Sequence, residues 1–156
     1  MDFKVRRSGH IVIRVSDVKR SVKFFIEVVG LKLFGDTPRG LHFLTADFEA
    51  NHHMVLVRPA RPGAAPPDTA SRIGMVAASY EIASMDELKR LYIRLVDFGA
   101  GIDRSEDRGS IKAIFAFDPD GNLFEFYCRE PGAKTELADF FAVRGDLDAE
   151  LASAAS

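Results

Sequence analysis

Cysteine, tryptophan and histidine are scarce or absent in this sequence, and each shortage removes a class of chemistry. The single cysteine, Cys128, rules out an internal disulfide framework and a multi-cysteine zinc site, and fits a reducing compartment. There is no tryptophan, and none of the four histidines lies beyond His53. An excess of either charge is missing too. The 21 Lys and Arg stand against 23 Asp and Glu and are interspersed with them, which leaves no electrostatic footprint for nucleic acid or an anionic membrane surface. No apolar run approaches the length of a membrane span. Although Lys4, Arg6 and Arg7 crowd the start, no apolar segment follows them as in a secretory leader, so the chain reads as soluble and cytoplasmic. A GxSxG elbow, a P-loop and a GxGxxG turn are all lacking, and Cys128 has no histidine partner in motif.

What is present is enough apolar residue, 47% of 156, for one domain or for two small modules. Thirteen phenylalanines are available to fill a core or to line a pocket for a flat apolar ligand, and core is the expectation for most of them. Segment 9–16 (GHIVIRVS) alternates, with Ile11, Ile13 and Val15 on one face and His10, Val12 and Arg14 on the other, as in a half-buried strand. Asp17 can cap a following helix with apolar positions Val18, Val22, Phe25, Ile26 and Val29, and Gly30 is placed to end it. Strand-like runs at 31–34, 41–45 and 53–57 complete a βαβββ pattern.

Residues 59–71 (PARPGAAPPDTAS) have no periodicity and read as a linker. Beyond it the pattern repeats. A strand is expected at 74–82, and Ser84 with Glu87 forms a capping box for a helix whose stripe is Met85, Leu88, Leu91, Tyr92, Leu95 and Phe98, closed by Gly99. Further strands are expected at 101–103, 111–117 and 123–128. Segment 47–58 (DFEANHHMVLVR) lies over 118–129 (DPDGNLFEFYCR) without a gap, matching Asp47 to Asp118, Asn51 to Asn122 and Arg58 to Arg129. A duplication follows. The expected fold is α+β: two tandem βαβββ modules, 8–58 and 72–129, forming an open, cup-shaped mixed sheet. A domain over 1–132 would then carry an Ala-rich, acidic helical tail at 133–156.

With a histidine on the first strand and a glutamate on the last, this arrangement resembles the vicinal oxygen chelate superfamily of glyoxalases, bleomycin-resistance proteins and extradiol dioxygenases. The most specific stretches are GHIVIRVSDVKRSVKFFIEVVGLKL and FAFDPDGNLFEFYC. The segment ANHHMVLVR looks most like the extradiol branch. The resemblance implies His10 as first metal ligand, Glu125 as last, and His53 as an acid/base histidine beside a metal-bound substrate. Imidazole and carboxylate suit Fe(II) first, with Mn(II), Zn(II) or Ni(II) as alternatives. It also implies a homodimer, and a small aromatic or vicinal-oxygen substrate.

The sequence departs from that pattern. The metal histidine expected on the first strand of the second module is replaced by Ala77 or Met75, 104–112 contains no histidine, and a phenylalanine, Phe115, stands at the assisting tyrosine. Two readings follow. One is a metalloenzyme resembling the catechol-cleaving dioxygenases, with His10, His53 and Glu125 as a rearranged triad. The other is a metal-free binding or resistance protein, or a cyclase or isomerase, whose cup is walled by Phe43, Phe115, Phe117, Tyr80 and Tyr127. A glyoxalase or epimerase site is a third, for which only Glu81 lies near a central strand.

Overall fold

The computed structural model describes residues 9–47, 55–67, 73–134 and 136–154. The chain divides into two units, 1–65 and 66–156, and the boundary falls inside the Pro- and Ala-rich segment 59–71. Each unit is βαβββ. The first holds β1 (Ile11–Val15), α1 (Val18–Glu27), β2 (Lys32–Asp36), β3 (His42–Thr45) and β4 (Val55–Pro59). The second holds β5 (Ala78–Glu81), α2 (Met85–Phe98), β6 (Ile102–Asp107), β7 (Ile111–Phe117) and β8 (Leu123–Arg129). The sheets have the same order, β1-β4-β3-β2 and β5-β8-β7-β6, each with one parallel pair and two antiparallel ones.

Capping sets both helices. Asp17 accepts the Arg20 amide at 3.1 Å and Ser84 accepts the Glu87 amide at 3.3 Å, each satisfying a donor that the first turn leaves open. Gly99 ends α2 at φ 74°, a left-handed conformation that glycine adopts without a Cβ penalty. The apolar faces then meet. In the first unit Ile13, Val15, Leu44, Val55 and Val57 are buried together with Phe24 and Phe25 of α1. In the second, Leu88, Leu91 and Leu95 of α2 are buried along with Ile114, Ala116, Phe124 and Phe126, and α2 packs on β7 and β8. Each such aliphatic or aromatic side chain contributes roughly 1.5–3 kcal/mol on burial.

Tyr80 lies in this helix-side layer, its ring stacked on Phe124 at 5.8 Å between centroids. Its hydroxyl has no partner and is the only buried side-chain polar atom so placed among the described residues. Burial pushes its ionisation well above the usual phenol range. Leaving a buried donor unpaired costs about 1–3 kcal/mol. Tyr80→Phe is therefore expected to raise stability by about 1 kcal/mol in urea unfolding; a loss instead would show that the hydroxyl is satisfied.

From residue 133 on, the described chain folds as part of the second unit, and only Asp148–Ala154 (α3) is α-helical, after a 3-10 turn at Leu137–Phe140. Gly145 bridges to Asp107 on edge strand β6, with the Asp107 amide donating to the Gly145 carbonyl at 2.8 Å. This pairs part of an edge that would otherwise be open. Ser105 accepts the Leu147 amide at 2.8 Å, and Lys89 of α2 meets Glu150 at 2.7 Å.

Candidate active site on the second sheet

The β7–β8 register places the site, and a buried aspartate fixes that register. Asp118 accepts the amides of Asp120 and Asn122 at 3.0 and 2.8 Å, and the Asn122 side-chain amide at 2.8 Å. Gly121 supplies the φ of 85° that the turn needs. Burial pushes the Asp118 carboxyl above its ordinary range in spite of those hydrogen bonds. The turn sets Phe117 opposite Leu123, hence Phe115 opposite Glu125 and Ala113 opposite Tyr127.

Since side chains alternate across a strand, these residues share the sheet face turned away from Ile114, Phe124 and Phe126. Ala113, Phe115 and Leu123 form a buried apolar cluster there, with Ala77, Phe117 and Tyr127 packed against it half-buried. Across the sheet runs a row of Arg104, Phe115, Glu125 and Ser79. The next row is Glu106, Ala113, Tyr127 and Glu81.

Glu125 is held on both oxygens. The Ser79 hydroxyl donates to Oε2, and Arg108 Nη1 lies 2.9 Å from Oε1. Arg108 is anchored in turn, with Nε and Nη2 donating to Glu106 Oε2 at 2.6 and 2.5 Å. Arg104 Nε takes the other oxygen of Glu106 at 2.6 Å, also meets Asp103, and lies over the Phe115 ring at 3.6 Å. Side-chain exposure is 7% for Arg108, 10% for Glu106 and 13% for Glu125, so these are desolvated pairs rather than surface ones. Burial alone would raise the Glu106 carboxyl, yet hydrogen bonds from Arg104 and Arg108 hold it below its ordinary range. At the margin of this face, Tyr127 donates to Glu81 at 3.2 Å and Arg129 pairs with Glu81 at 3.1 Å.

Of the residues marked by sequence, Glu125, Phe115, Phe117 and Tyr127 come together here. Tyr80 does not: odd-even alternation along β5 turns it to the helix side with Phe124 and Phe126, so it is core and no wall of this face. Phe43 belongs to the first unit, opposite Leu56. His10 is exposed and immediately precedes β1 instead of lying within it. His53, with its neighbour His52, lies outside the described residues.

A further correction concerns the second-module counterpart of His10. Ile11 pairs with Val55 and Tyr80 pairs with Phe126, and Val55 and Phe126 correspond in the duplication. His10 therefore corresponds to Ser79, and neither Ala77 nor Met75 occupies that place. Sequence reasoning also missed Arg104, Glu106 and Arg108; the first two share one face of β6 by period-two spacing, and Arg108 lies just past the end of that strand.

Two tandem βαβββ units, the second with a carboxylate among aromatics on the sheet face opposite α2, define a class, and the comparisons agree. Residues 7–126 match the model of the Glyoxalase/Bleomycin resistance protein/Dioxygenase superfamily, and the chain belongs to that superfamily. It is 25% identical over 134 residues to Biphenyl-2,3-diol 1,2-dioxygenase 3 of Rhodococcus globerulus, covering 86% of this chain and 69% of that protein. It is 27% identical to Catechol-2,3-dioxygenase of Bacillus subtilis, covering 79% of this chain but 41% of that protein. Metallothiol transferase FosB of Lysinibacillus sphaericus is 28% identical, with 79% and 82% covered. A glyoxalase/dioxygenase crystal structure from Nostoc punctiforme shares the fold at TM-score 0.68 and 17% identity, over 80% of this chain and 92% of that one. Members of the superfamily act on small molecules, typically with a divalent metal such as Fe, Mn or Zn, and often form dimers. Among the described residues no helix is long and apolar enough to cross a membrane.

The second unit does not fit such a metal. Ser79 stands where a second histidine would be needed and donates its proton to Glu125. The carboxylate already carries a guanidinium counter-charge at 2.9 Å. Among the described residues no group of three or more His, Cys, Asp or Glu converges to hold an ion.

Proposed function

We propose that the face of the second sheet opposite α2 binds a small aromatic or vicinal-oxygen compound without using Glu125 as a metal ligand. The observation that carries this reading is the desolvated Arg108–Glu125 pair set beside apolar side chains. Arg104 covers the Phe115 ring, so the ligand's ring would rest on Phe117 and Tyr127, which are half-buried. Glu125 retains lone pairs beyond those engaged by Arg108 and Ser79, and one of them would accept an O–H from the ligand. Charge balance by Arg108 lets the carboxylate remain in an apolar setting while it holds or relays that proton. Such a site suits binding, isomerisation or cyclisation.

Metal-dependent ring cleavage, with Fe(II), Mn(II) or Zn(II) at His10, His53 and Glu125, is the second reading. The names of two relatives favour it, both dioxygenases of aromatic diols. It requires Arg108 to leave Glu125.

Calorimetric titration of the full chain with catechol, in the presence of chelator, tests the first reading. Saturable binding is expected, weakened about ten-fold by Phe117→Ala, which corresponds to roughly 1.4 kcal/mol of lost contact. Catechol binding that appears only after metal is added would overturn it.

A further inference from the structure

We infer that Arg108 supplies from within the chain the positive charge that a divalent cation brings to a ligating carboxylate, and that it thereby keeps metal off Glu125. Three features carry this. The guanidinium is buried and fastened at its Nε and Nη2 to Glu106, leaving Nη1 aimed at Glu125. Glu106 is itself fixed from its other oxygen by Arg104, so the anchor does not swing. In the row that Arg108 must cross, the residue between Glu106 and Tyr127 is Ala113, whose methyl leaves room where a longer side chain would fill the path.

Charge accounting agrees. The two least exposed carboxylates, Glu106 and Glu125, are matched by Arg104 and Arg108, with Arg104 also shared by the more exposed Asp103. A dication at Glu125 would stand within a few ångströms of Arg108, where like charges in a partly desolvated setting repel strongly. Ser79 completes the arrangement as a hydrogen-bond donor to Oε2. The chemistry left to the site is hydrogen bonding and proton transfer.

This inference rests on Glu125 belonging to the proposed site, and the test keeps the two apart. Uniformly labelled full chain is titrated with Mn(II) while amide NMR signals are followed. In the unaltered protein, the amides of Ser79 and Glu125 are expected to stay sharp at a two-fold excess of Mn(II). Paramagnetic broadening of both would overturn the inference, and catechol binding measured on the same sample would show whether the ligand reading survives. Arg108→Met combined with Glu106→Gln removes the guanidinium without stranding its main carboxylate partner. That variant is expected to bind Mn(II) at least ten-fold more tightly, with the gain lost on adding Glu125→Ala and enlarged by Ser79→His. A folded double variant with no gain would also overturn the inference. Should the variant fail to fold, the broadening measurement on the unaltered chain decides alone.

Discussion

Replacing Arg108 by alanine should destabilise the second unit by about 3–5 kcal/mol, because removing one partner of a buried network strands the charges it balanced. Glu106 would keep only Arg104, and Glu125 only the Ser79 hydroxyl, on a face where both are largely shielded from water. Arg104→Ala is expected to cost far less. Its side chain is 45% exposed and water can replace what it gives up. The deficit should also depend on pH with a defined sign. Glu106 titrates below its unfolded value, so the stability it contributes is complete above an unfolded carboxylate pKa of about 4.3. That stability drains away as pH falls through the lower folded value. The gap between wild type and Arg108→Ala should therefore narrow in acid. Urea unfolding at neutral pH and near pH 3 measures both points, and a neutral-pH difference below about 1 kcal/mol would mark the network as no stronger than a surface pair.

Phe124→Ala should cost a similar 3–5 kcal/mol, since it opens a cavity in a core that cannot easily collapse. Phe124 is 1% exposed, stacked on Tyr80 and 6.3 Å from Phe126. Phe117 sits on the other face of the same sheet, half-buried. Its truncation should leave most of the stability in place and act on ligand binding instead. The pair divides the aromatics into core and wall by strand parity alone, and calorimetry of both variants, by heating and by catechol titration, checks the division. Equal loss of stability from the two would place Phe117 in the core.

Strand parity was readable in advance where alternation was strict. It put Ile11, Ile13 and Val15 on one face of β1, where Ile13 and Val15 are buried and Ile11 is half-buried, and the odd-numbered residues Leu123, Glu125 and Tyr127 on one face of β8. The helices were readable for a similar reason: Asp17, Ser84 and Gly99 are strong local stop and start signals, and α2 spans Met85–Phe98. Tyr80 went astray because β5 is short and its parity depends on pairing with β8, a contact far away in sequence. The same distance hid Ser79. Counting back from the helix caps lands on Ala77, but the run from the corresponding strand position to the helix start is two residues shorter in the second module, Ser79 to Met85 against His10 to Val18, and only the register shows it. Arg108 was the least legible of all, because nothing local says that a guanidinium just past the end of β6 will cross Ala113 to reach β8. Phe115, Phe117, Glu125 and Tyr127 lie on the strands expected of them, whereas His10 precedes β1 and Tyr80 turns to the helix side, and the group paired with Glu125 comes from a non-local ion pair.

The most direct test is a crystal structure of the full chain grown with excess Mn(II) and measured at the manganese absorption edge. Arg108 is expected within hydrogen-bond distance of Glu125, with no anomalous peak within coordination distance of the carboxylate. A manganese peak bound to Glu125, with Arg108 turned away, would contradict the account.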